Sequence, residues 1–399
     1  MQGKAVWDKI QRKAGRERLK GMEKKRRMAN YELLRILAMV MVVVMHFLSR
    51  SGSLPVLGEP LTSVRVTGAL IEAFCLVAVN TYLLLSGYLG VNNSFKPSKA
   101  AALLCQLWFY ALLIPFALAL LGIPVKASEL GIYGLVQYLF PIETEHYWFA
   151  TSYFMLYLLT PVLNRAAQDM TQRQFGIVLA GLLILFGGIK SVSPVGFAFD
   201  RYGYDLPWFI CVYLTGAYLR LYKKERAPKE GWLLYAGSCL LGFGVNLAMW
   251  FLAGRQDSFS YYFTVPYHYN FLPCLAGAVG LLYGFSGLSL KEGALAETVR
   301  RLGSLSFGVY LFHEHIDLRE RWYGWLKAAG NPWGGEGLLF FLRELFFCTA
   351  ILFVAGVFID WIRSRLFKMV KTRLGGTGIS ERLKRLDECF QPAENKTGV

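Results

Sequence analysis

Residues Tyr31 to Arg50 read YELLRILAMVMVVVMHFLSR, an apolar run of bilayer-spanning length with two ionisable residues set into it, Arg35 and His46. The two are eleven positions apart. At about 100° and 1.5 Å per residue this spacing puts them on one helical face, about 16 Å apart along the axis. Ionisable groups in a spanning helix are costly and turn toward a bundle interior or a watery cavity, so this face is a candidate functional site. A plainer reading stands beside it. Arg35 lies one turn inside a basic flank and His46 near the other end, where either polar tip can reach the headgroups.

Outward from this helix, the chain of 399 residues is 55% hydrophobic and only 18% charged, with a mean hydropathy of +0.37. That balance excludes an ordinary soluble protein. Further apolar spans read at about 66–89, 100–122, 147–163, 174–190, 206–221, 232–253, 270–287, 302–316 and 337–361. The expected fold is therefore all-α, a polytopic bundle of about ten transmembrane helices. Of the 43 Lys and Arg, 32 fall on the side of the two termini, ten on the other, and Arg35 lies within the membrane. Basic residues favour the cytoplasmic side, so both termini are expected there. The organisation that follows is a basic N-terminal segment over 1–30, a transmembrane domain over 31–362 and a basic tail over 363–399.

The net charge of +16 sits in these flanks, where it sets topology and meets anionic lipid; no nucleic-acid partner is expected. A signal peptide would need a short apolar core and a small-residue cleavage site, and a full span follows the basic segment instead, with Met28 an alternative start to Met1. The seven cysteines show no CxxC pairing and mostly fall in apolar spans, as small core residues do.

Polar residues inside or beside the other spans are the remaining site candidates. The second span holds Glu72, Asn80 and Ser86; Asn and Ser there commonly bond neighbouring helices. Lys96 and Lys99 in the turn NNSFKPSKA suit the cytoplasmic side and are candidate phosphate contacts. The outer segment over 126–150 is long enough for a re-entrant or surface helix and brings Glu143, Glu145, His146 and Trp148 to the start of the fourth helix. Outer stretches 197–208, 255–271 and 320–335 mix aromatics with Asp, Arg, His and Asn. They suit sugar binding or an interfacial aromatic belt equally. His313-Glu314-His315 ends the ninth span. Two His two apart lie about 200° round a helix and do not make the HExxH zinc arrangement, so no metal is expected. Either His is a candidate to line the cavity of His46. Nucleotide-binding glycine motifs and a GxSxG elbow are absent from the sequence, which leaves soluble-enzyme chemistries without a foothold.

Arg35 with ten residues before His46, the Ser86-Gly87-Tyr88 ending, HYWFATSYFMLYLLTPVLN at 146–164 and SFGVYLFHEH at 306–315 together resemble the membrane-bound acyltransferase-3 family, which modifies surface polysaccharides and related glycans. The resemblance runs from the first to the ninth helix in family order. It implies a ten-helix bundle in a bacterial cytoplasmic membrane that passes an acyl group, acetyl or else succinyl, from cytoplasmic acyl-CoA to a hydroxyl of a surface glycan or its lipid-linked precursor. Acyl-CoA is then a co-substrate, with no bound cofactor. Arg35 and His46 match the family motif as catalytic residues. Where the family carries an arginine pair before the third helix, this chain has Lys96 and Lys99, point charges without arginine's planar fork. Glu72, Asn80, Ser86, Glu145, His146, Trp148, Tyr157, Tyr310, His313 and His315 complete the expected acceptor site or its lining.

In that reading a neutral His46 takes a hydroxyl proton as general base, or takes the acyl group itself. Arg35 holds the donor's phosphate or polarises its carbonyl. Glu145, Glu72 or His313 would orient His46, and the sequence does not choose among them. Two other classes fit the same buried polar residues: a transporter or flippase for a glycan or small polar solute, and a structural subunit of a glycan-assembly complex. Transport folds commonly show paired repeats, and no clear repeat is visible here. The oligomeric state is open.

Overall fold

The computed structural model describes residues 28–222, 227–255, 259–330, 335–373 and 378–391, and these form helices and turns with no strand. The basic segment at 1–27 lies outside the described residues. The central helix α1 runs Ala29–Ser51 and ends at Gly52, whose φ of 66° is the left-handed conformation that lets its N–H close on the Leu48 carbonyl. The expected second span is two helices, α2 Ser63–Cys75 and α3 Ala78–Gly90, parted by a turn at Leu76 and Val77. Helix α4 covers Pro97–Leu120 with Pro97 in its first turn, where a missing N–H leaves no gap. Two short helices follow, α5 Lys126–Leu130 and α6 Ile132–Leu139, whose exposed Leu130, Ile132 and Leu135 suit a surface position.

Helix α7 spans Trp148–Asp169. Its Pro161 removes the donor for the Tyr157 carbonyl, and the Thr160 hydroxyl supplies one at 2.7 Å. Helix α8, Gln172–Leu183, continues through a π turn into α9, Ile189–Val192. Then come α10 Leu206–Tyr222, α11 Pro228–Ala253, the short α12 Ser260–Thr264, α13 Leu272–Ser286, α14 Ala294–His313, α15 Trp322–Gly330, α16 Leu338–Arg373 and α17 Gly378–Cys389.

Among the described residues six helical segments are long and apolar enough to cross a membrane: Ala29–Ser51, Ser63–Gly90, Pro97–Leu120, Gln172–Val192, Pro228–Ala253 and Leu338–Arg373. The other four expected spans are also helical, as α7, α10, α13 and α14, but fall short of that standard in length or hydropathy. The chain is a multi-pass helical membrane protein.

Burial ranks the layers. The apolar stretch of α2 and α3 is 72% buried and that of α1 61%, against 22% for α11 and α16, so α1 to α3 lie at the centre and α11 and α16 at the lipid-facing edge. Close helix crossings need small residues where no hydrophobic effect drives association. A Cβ on Gly87 of α3 would collide with the Tyr213 carbonyl of α10, and one on Gly216 of α10 with the Leu84 carbonyl of α3. Helices α3 and α14 both pack against α1.

Candidate active site

Helices α1, α3 and α7 enclose two cavities, one at each end of the Arg35–His46 face. The cavity at the Arg35 end, about 170 Å³, is lined by Arg35, by Leu85, Ser86, Leu89 and Gly90 of α3, by Tyr153, Leu156, Tyr157, Thr160 and Asn164 of α7, and by Asn93, Ser94, Phe95, Lys99 and Tyr213. The cavity at the His46 end is about 30 Å³, room for little more than a water molecule, and is lined by Met39, Val42 and His46, Val79 and Tyr82, Trp148 and Phe149, and Tyr269, Phe307 and Tyr310. The same three helices supply residues to both, so the shared face is real. Between the cavities stand Tyr82, whose hydroxyl donates to the Arg35 carbonyl at 2.7 Å, and the stacked rings of Phe149 and Tyr153, 5.9 Å between centroids.

At the first cavity, Arg35 pairs with the buried Glu32 of its own helix. Ser86 donates to the Tyr82 carbonyl at 2.9 Å and meets the Tyr153 hydroxyl at 3.4 Å. Lys99 is part of the lining. The Lys96 side chain is not, although its backbone carbonyl accepts from Tyr157 Oη at 3.1 Å. Helix α17 and the residue after it pack against the Phe95–Ser98 segment beside this cavity. Ser98 donates its N–H and its hydroxyl to the Asp387 carboxylate at 2.9 and 2.6 Å, and Phe390 meets Phe95 edge-on at 4.9 Å.

At the second cavity, His46 Nδ1 lies 2.8 Å from His313 Nε2, and His313 Nδ1 lies 2.6 Å from the Val309 carbonyl one turn back on α14. The protons in this chain follow from the acceptor at its end. A carbonyl only accepts, so His313 Nδ1 carries the hydrogen. With both rings neutral, His313 Nε2 then offers a lone pair, His46 Nδ1–H donates to it, and His46 Nε2 is left with the free lone pair. The third member is Glu314, with an oxygen 3.4 Å from His46 Nδ1. Outside it, Arg50 of α1 pairs with Glu320 at 2.5 Å.

The other expected residues sort by environment. Trp148 and Tyr310 line the His46 cavity. Trp148 stacks on Tyr269 at 5.7 Å and touches Tyr204 at 4.4 Å, so the outer stretch 197–208 reaches the site. That stretch is pinned by the buried Lys190–Asp200 pair, with Asn270 donating to Asp200 at 2.9 Å. Asn80 is committed to packing. Its amide donates to the Tyr269 carbonyl at 2.8 Å and its oxygen accepts from Trp208 Nε1 at 3.0 Å. Glu72 is buried with Oε2 unpartnered among the described residues, near Tyr204, Tyr267 and Tyr269. Glu145 is exposed, in a turn with φ 48°.

His146 and His315 form a separate buried group, rings 4.5 Å apart. His146 Nδ1 is 3.0 Å from the Gln137 carbonyl, and burial pushes its imidazole down to about 4. His315 Nδ1 accepts from the Asp317 N–H at 3.1 Å, while its ring faces the Ala111 carbonyl that Pro115 leaves without a helical donor. Asp317 also accepts from Tyr138 and Lys126, tying α5 and α6 to the end of α14. Of the two expected histidines at 313 and 315, only His313 reaches His46, because α14 ends at His313 and the chain turns there. Sequence reasoning missed Glu314 as a neighbour of His46, and missed Tyr82, Phe149 and Tyr153. Glu314 was visible as part of the HEH run; the aromatic partition had no sequence signal.

Residues 28–361 match the family model Acyl_transf_3, an acyltransferase domain. Comparison with curated proteins and with solved structures gives no match.

Proposed function

The chain belongs to the acyltransferase-3 family, and we propose that it moves an acyl group from acyl-CoA to a hydroxyl of a surface glycan or its lipid-linked precursor, with His46 as the base. The observation that carries this reading is the Val309–His313–His46 chain, which leaves His46 Nε2 as the proton-accepting nitrogen at a cavity walled by Trp148, Tyr269 and Tyr310. The donor enters at the Arg35 cavity, on the cytoplasmic side by the distribution of basic residues. Arg35 and Lys99 meet its phosphates, and the pantetheine arm runs along α1 for the roughly 16 Å to His46. Tyr82, Phe149 and Tyr153 move apart to let it pass.

The acceptor hydroxyl approaches from the His46 end. His46 Nε2 takes its proton, the oxygen attacks the thioester carbonyl, and the tetrahedral intermediate collapses by breaking the C–S bond. The imidazolium returns the proton to the departing thiolate. His313 steadies the positive charge on His46 through the hydrogen bond at Nδ1. Acetyl-CoA is the first donor to test, succinyl-CoA the second, in a bacterial cytoplasmic membrane.

The test is label transfer from radiolabelled acetyl-CoA in membranes carrying the wild type, Arg35→Ala or Lys99→Ala. Label reaches a glycan or lipid-linked fraction in the wild type and falls at limiting donor in both variants. Equal labelling by all three, or by membranes without the protein, contradicts the proposal.

A further inference from the structure

His46, His313 and Glu314 hold three ligand-type atoms, two imidazole nitrogens and a carboxylate oxygen, all within 4.8 Å of one another. Glu314 Oε1 is buried, on a residue 7% exposed, with no hydrogen-bond partner among the described residues, and lies 3.4 Å from His46 Nδ1. The contrast is Asp360, also buried, whose carboxylate takes donors from Gln106, Tyr110 and Arg363. A buried carboxylate oxygen without a hydrogen-bond donor, beside two imidazoles, is left unsatisfied.

Two His and one Glu with an open fourth position form a zinc-type ligand set, with metal–ligand distances of about 2.0–2.2 Å. Tetrahedral ligands at that range stand about 3.3 Å apart. The carboxylate is already at that separation from His46, and the imidazoles, now 2.8 Å apart, need to part by about half an ångström. His313 has the outer contact that metal-ligating histidines use, its other ring nitrogen on a backbone carbonyl. The expectation of no metal rested on the His313–His315 spacing. The fold supplies the second imidazole from α1 instead.

We propose that His46, His313 and Glu314 bind a divalent cation of the zinc class, and that the bound cation switches His46 to the tautomer that cannot act as a base. Without the cation His46 carries its proton on Nδ1 and its lone pair on Nε2. Coordination takes the Nδ1 lone pair, so the single ring proton moves to Nε2, by way of water, and Nε2 becomes a donor. His313 keeps its proton on Nδ1 and turns its Nε2 lone pair from His46 to the cation. No electron is transferred, and the imidazoles release no net proton. Arg50 and Arg319 face the cluster as positive charges, each with Glu320 beside it at 2.5 and 3.8 Å. The switch rests on the acyl-transfer reading; the binding does not.

The experiment is a Co²⁺ titration of the full chain in detergent, followed by visible absorption, on the wild type, His313→Gln, Glu314→Gln and, as a control in an outer loop, His268→Gln. The wild type and the control develop a tetrahedral Co²⁺ band, while His313→Gln and Glu314→Gln lose it or bind at least about tenfold more weakly. Zn²⁺ then suppresses thioester cleavage by the wild type, and a chelator restores it. Absence of the band, or its survival in both ligand variants, overturns the site. Binding with undiminished cleavage overturns the switch. If a ligand variant does not accumulate, X-ray absorption of the zinc-loaded wild type decides, since the site requires two imidazole ligands. No cleavage with or without chelator would instead sink the acyl-transfer reading and leave the Co²⁺ result to decide the site.

Discussion

Replacing His313 by Ala removes the only imidazole in contact with His46 among the described residues and leaves the ring of the proposed base in place. Two effects follow, and both can be sized. In the resting site the His46–His313 hydrogen bond joins neutral partners at 2.8 Å, worth about 0.5–1.5 kcal/mol, which biases the tautomer with the lone pair on Nε2 by about twofold to tenfold. As His46 takes the acceptor's proton, the bond becomes one from a cation, worth about 1.5–3 kcal/mol. The difference between the two, about 1–1.5 kcal/mol, sets the barrier, so the expected fall in kcat is about fivefold to tenfold. KM for acyl-CoA stays close to wild type, because Arg35 and Lys99 line the other cavity. His313→Gln keeps an acceptor oxygen and recovers part of the loss. The assay is continuous thiol release from acetyl-CoA by purified protein with saturating acceptor. A kcat for His313→Ala within about twofold of wild type would refute the relay, as would a loss confined to donor KM.

Other outcomes follow from the same geometry. Lys99→Ala and Arg35→Ala raise donor KM by about tenfold, the loss of one charge-assisted contact, and Arg35→Lys falls between because it keeps charge without the fork; saturation kinetics in donor and acceptor separately check this, and a shift in acceptor KM alone counts against it. Gly87→Ala forces the α3–α10 crossing apart at a cost of about 1–3 kcal/mol or more, read as a lowered melting temperature in detergent, whereas Gly181→Ala, whose Cβ meets nothing within 4 Å, is neutral. Asn80→Ala leaves the buried Trp208 N–H without its acceptor and destabilises by about 1–3 kcal/mol. The folded fraction of that variant keeps its KM for both substrates, as a packing residue should.

The parts of the site that were legible in the sequence lie within one element. Arg35 and His46 share α1, and helical geometry alone places them on one face opposite α3 and α7. The helical segments were legible for the same reason, since each is an apolar run whose backbone must satisfy itself. The break at Leu76 and Val77 was not, because it carries neither Gly nor Pro. The partner of His46 was also out of reach. Glu72, Glu145 and His313 were equal candidates until α14 ended beside α1, a contact across 267 positions. Asn80 shows the opposite case. A buried amide in a span looks like a site, and only the fold shows its oxygen taken by Trp208 and its nitrogen by Tyr269.

Thiol release from acetyl-CoA by purified wild type and His46→Ala decides whether His46 is the base for acyl transfer. The wild type is expected to release thiol and the variant to lose about 10²–10⁴-fold of that rate, with donor binding intact and the protein still present in membranes. Equal release by the two proteins would contradict it.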